Sequence, residues 1–376
     1  MKKVLVTLVF IVIVIFAGKA LYEDMQKKYQ IDESLIYSEE YTSLYYYNQL
    51  TAKQKEYYIK IDTCIKKLEQ DIHFGFAKNA DVKKDVSLVL SAIYNDRPEY
   101  FYLPQDYNVK SLKVGDIEYT YLRLKYTVKS IDERDRKTRE MNRIIDSMIS
   151  SSVTDEMTDF EKELALHDAL MNKVEYLVYE KIETIPQEQH TAYEAFVNNS
   201  GVCDGMAKAY MMLLNKVGIE TIMVTGKIAD IAHAWNIVKL DGEYYHVDPT
   251  SDTVEISEKT IVMHRYFNLS DNEIFITHIL DKEFEVPKCT GTKYNYYLYK
   301  SYYIDYIDNL RTKVVRVVNA QWYNEIIEIK LDSLYSHQKL IEELYYLNFN
   351  NWNKNYQSAV TYHKLEDVFI FENKNK

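Results

Sequence analysis

The sequence predicts an α+β fold in which a helix opened by a cysteine packs on an antiparallel sheet. Three observations predict it. A turn cluster at residues 198–201 leads straight into a helical apolar stripe with Cys203 in its first turn. An Asp241-Gly242 pair separates two strand-like runs, 232–240 and 243–250, which is a strong two-residue hairpin signal. Helical and strand-like stretches also flank this core on both sides, predicting N- and C-terminal α/β appendages.

From the N-terminus, Met1-Lys2-Lys3 precedes an apolar run over 4–18. Fifteen residues make about 22 Å of helix, short of a hydrocarbon core of about 30 Å, and extension to Tyr22 with Lys19 snorkelling brings the length close to spanning. Residues 1–22 therefore read as an uncleaved signal anchor or a cleaved signal peptide. Both readings place the remainder outside the cytoplasm, membrane-anchored or secreted.

Residues 23–154 form a mixed helix and strand region. Tyr58, Ile61, Ile65 and Leu68 recur at helical spacing, and a helix containing Val86, Leu88, Val89 and Ile93 stops near Pro98. Segments 107–114 and 118–128 predict two strands joined through Gly115-Asp116, and 133–149 predicts a polar helix. The 36 tyrosines suit strands and wet amphipathic surfaces.

Residues 155–284 carry the motifs. Thr158 and Glu161 fit a capping box, and His167 falls on the apolar stripe that follows, which predicts a packed, neutral histidine. Ser200 is a candidate cap for the next helix and Gly218 its stop. A cysteine in a first helical turn faces unpaired N–H groups and the positive end of the helix dipole, which favour a thiolate. Gly201, Gly205 and Ala207 leave room beside the sulfur. Cys64 and Cys289 have no comparable setting, and three cysteines make no disulfide framework.

The hairpin sets the rest. With Leu240 opposite Glu243, paired numbers sum to 483, so Trp235 lies opposite Asp248. His233, Trp235, His246 and Asp248 then share a face, and His233 and Asp248 are diagonal neighbours about 6–8 Å apart at Cβ. A carboxylate there orients the imidazole and leaves its other nitrogen for a thiol proton. Trp235 shields the pair and walls an acyl pocket with Gly205. His233, His246, Cys203 and Asp248 are zinc-ligand types, but His246 faces Ile237 and converges poorly, so no metal or cofactor is expected. His264 and His278 have no spacing that recommends them. Past residue 284, segments 314–318, 326–329 and 368–371 predict strands and 337–347 a helix, in a C-terminal region spanning 285–376.

These residues resemble the transglutaminase-like superfamily, a branch of the papain-like thiol enzymes. The matching stretches are Gly201-Val202-Cys203-Asp204-Gly205-Met206-Ala207, His233-Ala234-Trp235-Asn236 and Tyr244-Tyr245-His246-Val247-Asp248-Pro249-Thr250. The resemblance implies a papain-like transglutaminase core with Cys203 as nucleophile, His233 as base and Asp248 as orienting acid. It implies thiol acyl transfer on peptide or glutamine amides, either hydrolytic or cross-linking, with a peptide or protein substrate such as a cell-wall peptide. The superfamily also contains copies without activity, so a non-catalytic envelope module is the rival expectation. Ser251 stands where a tryptophan is common, and no residue is assigned to the oxyanion hole, Gln187 and Gln189 having suitable amides. A net charge of −11 excludes a nucleic-acid footprint, and no Asp/Asn-rich loop supports calcium.

Overall fold

The computed structural model describes residues 33–76, 79–103, 107–114, 117–256, 259–305, 310–321, 326–332, 362–365 and 368–372. The chain divides into two units, 1–140 with 282–285, and 141–281 with 286–376.

In the first unit, helix α1 (Ala52–Lys66) starts at a reciprocal capping box of Thr51 and Gln54 and buries Tyr58, Ile61 and Ile65. Strand β1 (Asp71–Phe76) and helix α2 (Asn79–Asp96) follow. Strands β2 (Tyr107–Val114) and β3 (Ile117–Leu124) pair antiparallel, and β1 joins the other edge of β3 to give the order β1-β3-β2. Not all the tyrosines sit on wet surfaces. Tyr41, Tyr46, Tyr47 and Tyr58 are buried, and buried carboxylates satisfy the polar groups around them. Asp62 accepts from the hydroxyls of Tyr41 (2.8 Å) and Tyr100 (2.6 Å), while Asp96 accepts from the backbone N–H groups of Tyr46 and Tyr47, each at 2.9 Å. Lys66 pairs with Asp62 at 2.8 Å besides the two phenols, and backbone N–H groups hold Asp96, so both buried carboxylates are satisfied inside this unit. The division between units falls within helix α3 (Ile131–Ser152).

The second unit holds the sheet that matters. Helix α4 (Asp159–Met171) begins at the expected capping box, Thr158 with Glu161. Strands β4 (Glu175–Tyr176) and β5 (Ser200–Gly201) pair in parallel just before helix α5 (Cys203–Lys216). Strands β6 (Thr221–Ile228), β7 (Ile231–Leu240) and β8 (Glu243–Val247) form an antiparallel meander. The two-stranded β9 (Thr253–Ile256) and β10 (Lys259–Val262) follow, and β11 (His278–Leu280) returns to pair with β6. The resulting order is β11-β6-β7-β8. Helix α5 packs Ala207 and Met211 against Met223 and Ala234, and the Asn236 amide donates to the Ala207 carbonyl at 3.0 Å. The expected α+β fold, with a cysteine at a helix start and an antiparallel sheet carrying His and Asp, is present.

A second sheet, β12 (Tyr303–Ile304), β13 (Ile326–Leu331), β14 (Tyr362–Leu365) and β15 (Val368–Glu372), has the order β12-β13-β15-β14. The strand expected at 314–318 is instead part of helix α6 (Leu310–Ala320). Val314, Val317 and Val318 are the buried valines, a three-to-four spacing that packs on Ile304, Ile327 and Ile329. Tertiary packing outweighs the β-propensity of the valine run.

The expectation of a membrane-spanning helix is corrected. Among the described residues no helix is long and apolar enough to cross a membrane. The longest described helix, α3, opens Ile-Asp-Glu-Arg-Asp-Arg-Lys and is charged along most of its length. Segment 1–22 and the helix expected at 337–347 lie outside the described residues.

Candidate active site

Cys203 is the first residue of α5 and is partly exposed. Asn199 turns the chain in a left-handed conformation (φ 56°), and Ser200 and Gly201 then pair with Glu175 and Tyr176. Ser200 is therefore a strand residue and not the helix cap. Val202 takes that position, without a side-chain cap, and its N–H donates to the Gln189 carbonyl at 3.1 Å. The space beside Gly205 is not an open pocket. A Cβ there would meet the Gln189 carbonyl oxygen at 2.5 Å and the Thr191 backbone at 3.2 Å. Glycine is required so that segment 187–191 can lie directly on the first turn of α5. The Gln189 side chain donates to Glu194 at 3.3 Å.

The hairpin has the expected register, with Leu240 opposite Glu243 and Ile237 opposite His246. Asp241 (φ 50°) and Gly242 (φ 83°) supply the two left-handed residues of a tight turn. The ladder ends at Asn236 and Val247, one pair before Asp248. There the chain turns into a short 3₁₀ segment, Pro249–Asp252, capped by the Asp248 side chain. Oδ1 of Asp248 accepts from the N–H of Thr250 (3.1 Å), the Thr250 hydroxyl (2.8 Å) and the N–H of Ser251 (3.3 Å). Oδ2 is thus aimed at the sheet, where it meets His233 Nε2 at 2.8 Å, His278 Nε2 at 3.0 Å and the Ser251 hydroxyl.

This carboxylate is buried, yet its pKa lies well below the ordinary value. Burial raises it, and His233 and His278 together outweigh burial. His233 moves the other way. Burial lowers its pKa, but the Asp248 charge and hydrogen bond, followed by a hydrogen bond to Cys203, raise it to about 10. Since Nε2 is held by Asp248, Nδ1 is the nitrogen left for the thiol. His233 is thus hydrogen-bonded to Asp248 and close enough to Cys203 for the thiol to raise its pKa. Trp235 is fully buried and lies over His233 with ring centroids 6.2 Å apart and planes at 20°. Its indole N–H donates to His246 Nδ1 at 3.0 Å, and His246 Nε2 is 3.0 Å from Asp271. His246 thus anchors Trp235 and does not converge with His233 on a metal.

Sequence reasoning missed His278, which reaches Asp248 from the opposite edge of the sheet. No local signal marks it, because its position depends on β11 pairing with β6 some 50 residues back. Tyr176 was missed as well. Its pKa is raised to about 12 by burial and then by Cys203, Asp248 and Asp204, so its ring borders the same site. Next to Cys203, Asp204 pairs with His190 (2.7 Å) and Lys208 (3.6 Å), and Lys208 also donates to the His190 carbonyl at 2.9 Å. Burial raises the Asp204 pKa, but Lys208 and His190 outweigh it and lower it. Thr250, and Ser251, noted only as standing where a tryptophan is common, hold the Asp248 carboxylate.

The model of the transglutaminase-like superfamily matches residues 147–249, a stretch that contains Cys203, His233 and Asp248. No curated protein matches the chain. Solved structures similar to it include a TGase (16% identity, TM-score 0.27, covering 50% of this chain and 53% of that one). Another is a candidate cysteine protease from Cytophaga hutchinsonii (14%, TM-score 0.24, 39% and 65%). A third is a candidate protease from Parabacteroides distasonis (11%, TM-score 0.21, 42% and 42%). The chain thus spans 42–65% of the lengths of these three structures. The matched stretch and the helix-and-sheet arrangement of the second unit agree: residues 147–249 are similar to the transglutaminase-like superfamily.

Proposed function

We propose that the protein is a thiol acyl-transfer enzyme acting on peptide or glutamine amides. The observation that carries this reading is His233 bonded through Nε2 to a buried carboxylate and close enough to Cys203 for the thiol to raise its pKa. His233 takes the proton of Cys203 at Nδ1, and Asp248 stabilises the resulting imidazolium through Nε2. The thiolate sulfur attacks the amide carbonyl carbon. Collapse of the tetrahedral adduct breaks the C–N bond, and His233 returns the proton to the departing amine or ammonia. The thioester is then consumed by water, giving a carboxylate, or by a primary amine, giving a new amide. Each arm regenerates the Cys203 thiol.

The basic end and apolar run of residues 1–18 support a site of action outside the cytoplasm, where surface proteins and wall peptides are the reachable substrates. The test is product analysis with a glutamine-containing peptide, with and without an added primary amine, alongside Cys203→Ser. Ammonia release, amine incorporation or backbone cleavage that disappears in the variant supports the proposal and names the acceptor. If a thiol-directed probe fails to label Cys203 in the folded protein, the fold serves a non-catalytic module and the proposal fails.

A further inference from the structure

Away from Cys203, a second carboxylate sits between two imidazoles. Asp168, on α4, places Oδ1 3.0 Å from Nδ1 of His167 and 2.9 Å from Nε2 of His264. The opposite nitrogen of each ring is backed by another acid. His264 Nδ1 is 2.7 Å from Glu328 Oε1, and Glu328 Oε2 is fixed by the Tyr297 hydroxyl (2.6 Å) and the His264 N–H (3.1 Å). His167 Nε2 lies 3.4 Å from Asp252 Oδ2, an ion-pair distance, and Asp252 Oδ1 accepts from the Tyr266 N–H at 2.7 Å. His167 is buried on the α4 stripe, as expected; burial lowers its pKa, but Asp168 and Asp252 together raise it.

We propose that His167, Asp168 and His264 bind a divalent transition-metal ion, with zinc the best match. One ligand atom from each of the three lies within 4.8 Å of the others. A tetrahedral site with bonds of 2.0–2.1 Å needs about 3.3 Å between ligand atoms, so the observed 2.9 and 3.0 Å must open by only a few tenths of an ångström. Two imidazoles and one carboxylate are a donor set that zinc favours. Rings whose far N–H is held by a carboxylate are the usual support for histidine ligands, and Glu328 holds that place behind His264.

Access is available too, since His167 is fully buried while the Asp168 side chain is 40% exposed.

Two other groups of ligand-type side chains exist among the described residues. His233, Asp248 and His278 belong to the site already described. In His246, Asp271 and Cys289, Nδ1 of His246 already accepts from Trp235, and burial pushes the Cys289 thiol far up.

The test is titration of the metal-stripped full chain with Co²⁺, read by its visible d–d bands, followed by displacement with Zn²⁺. The expected result is one saturable equivalent with tetrahedral bands. Asp168→Ala and His264→Gln should each weaken binding at least tenfold, while Cys203→Ser and His278→Gln leave it unchanged. Asp168 is partly exposed, so circular dichroism on its variant separates ligand loss from unfolding. The proposal is overturned by no saturable binding to the wild-type chain, by binding indifferent to both ligand variants, or by binding lost in Cys203→Ser.

Discussion

Asp248→Asn keeps the shape of the orienting side chain and removes its charge. Oδ1 is held by two N–H groups and a hydroxyl, so the amide oxygen of the variant takes that place. The amide NH₂ then faces Nε2 of both His233 and His278, where two donors were bound before. His233 can relieve this only by moving its proton to Nδ1, the nitrogen that faces Cys203. The ring then has no lone pair for the thiol proton, and an imidazolium has no carboxylate partner. Two unit charges about 4 Å apart attract by about 4 kcal/mol at an effective dielectric of about 20. At 1.36 kcal/mol per decade, the thiolate–imidazolium form becomes about a thousandfold rarer. Alkylation by iodoacetamide reads this form directly and needs no knowledge of the substrate. Cys64 and Cys289 are buried, and burial pushes the Cys64 thiol up to about 12 and the Cys289 thiol further, so peptide mapping should find the label at Cys203. His233, its pKa raised to about 10, is protonated across the neutral range, so the effect of removing its carboxylate partner is read there. The variant should fall by about 10²- to 10³-fold at pH 6 and recover as pH rises. An unchanged rate and pH profile in a folded variant would refute the ion-pair reasoning.

His278→Leu removes one donor from Asp248 while leaving His233 in place. Loss of a hydrogen bond to a charged group is worth about 1.5 kcal/mol, so the same alkylation rate should drop about tenfold. Glu163 is buried, and burial raises its pKa to about 8. Its folded-state pKa exceeds the unfolded one, so its contribution to stability is present below about pH 4.5 and is lost as pH rises toward 8. Glu163→Gln, which retains the acceptor for Asn268, should therefore stabilise the protein by about 2–3 kcal/mol at pH 8 and little at pH 5, measured by urea unfolding. Gly205→Ala forces a methyl to within 2.5 Å of the Gln189 carbonyl oxygen, and about 1–3 kcal/mol should be lost in the same assay.

What the sequence made legible was local. The Asp241-Gly242 turn fixes its own backbone and, through it, the register of every pair in the hairpin, so the meeting of His233 and Asp248 followed by arithmetic. The capping box at Thr158 and the start of a helix near Cys203 were legible for the same reason. Ser200 misled because a good capping residue is also free to enter a two-residue strand pairing, and that pairing depends on Glu175 and Tyr176. The valines at 314–318 misled because β-branching was weighed above spacing, while burial follows a helical three-to-four period. His278 and Glu328 were beyond reach, since each meets its partner only after distant segments have docked.

Asp248 and Asp168 share a geometry, each holding one oxygen between two imidazole nitrogens about 3 Å away. What stands at the far side of the rings separates their chemistry. Behind His233 lies a thiol, which has a proton to give, so a ring anchored by its carboxylate can act as a base there. Behind His264 lies Glu328 at 2.7 Å, and Asp252 stands 3.4 Å from His167, so no thiol completes a relay here. The nitrogens that face Asp168 are the ones that would meet a cation. Burial reinforces the division. Asp248 is sealed, which keeps its charge strong and directed at His233, whereas Asp168 is exposed enough for an ion to enter. The same pair of residue types thus makes a proton relay where a thiol completes it and a cation cradle where carboxylates do.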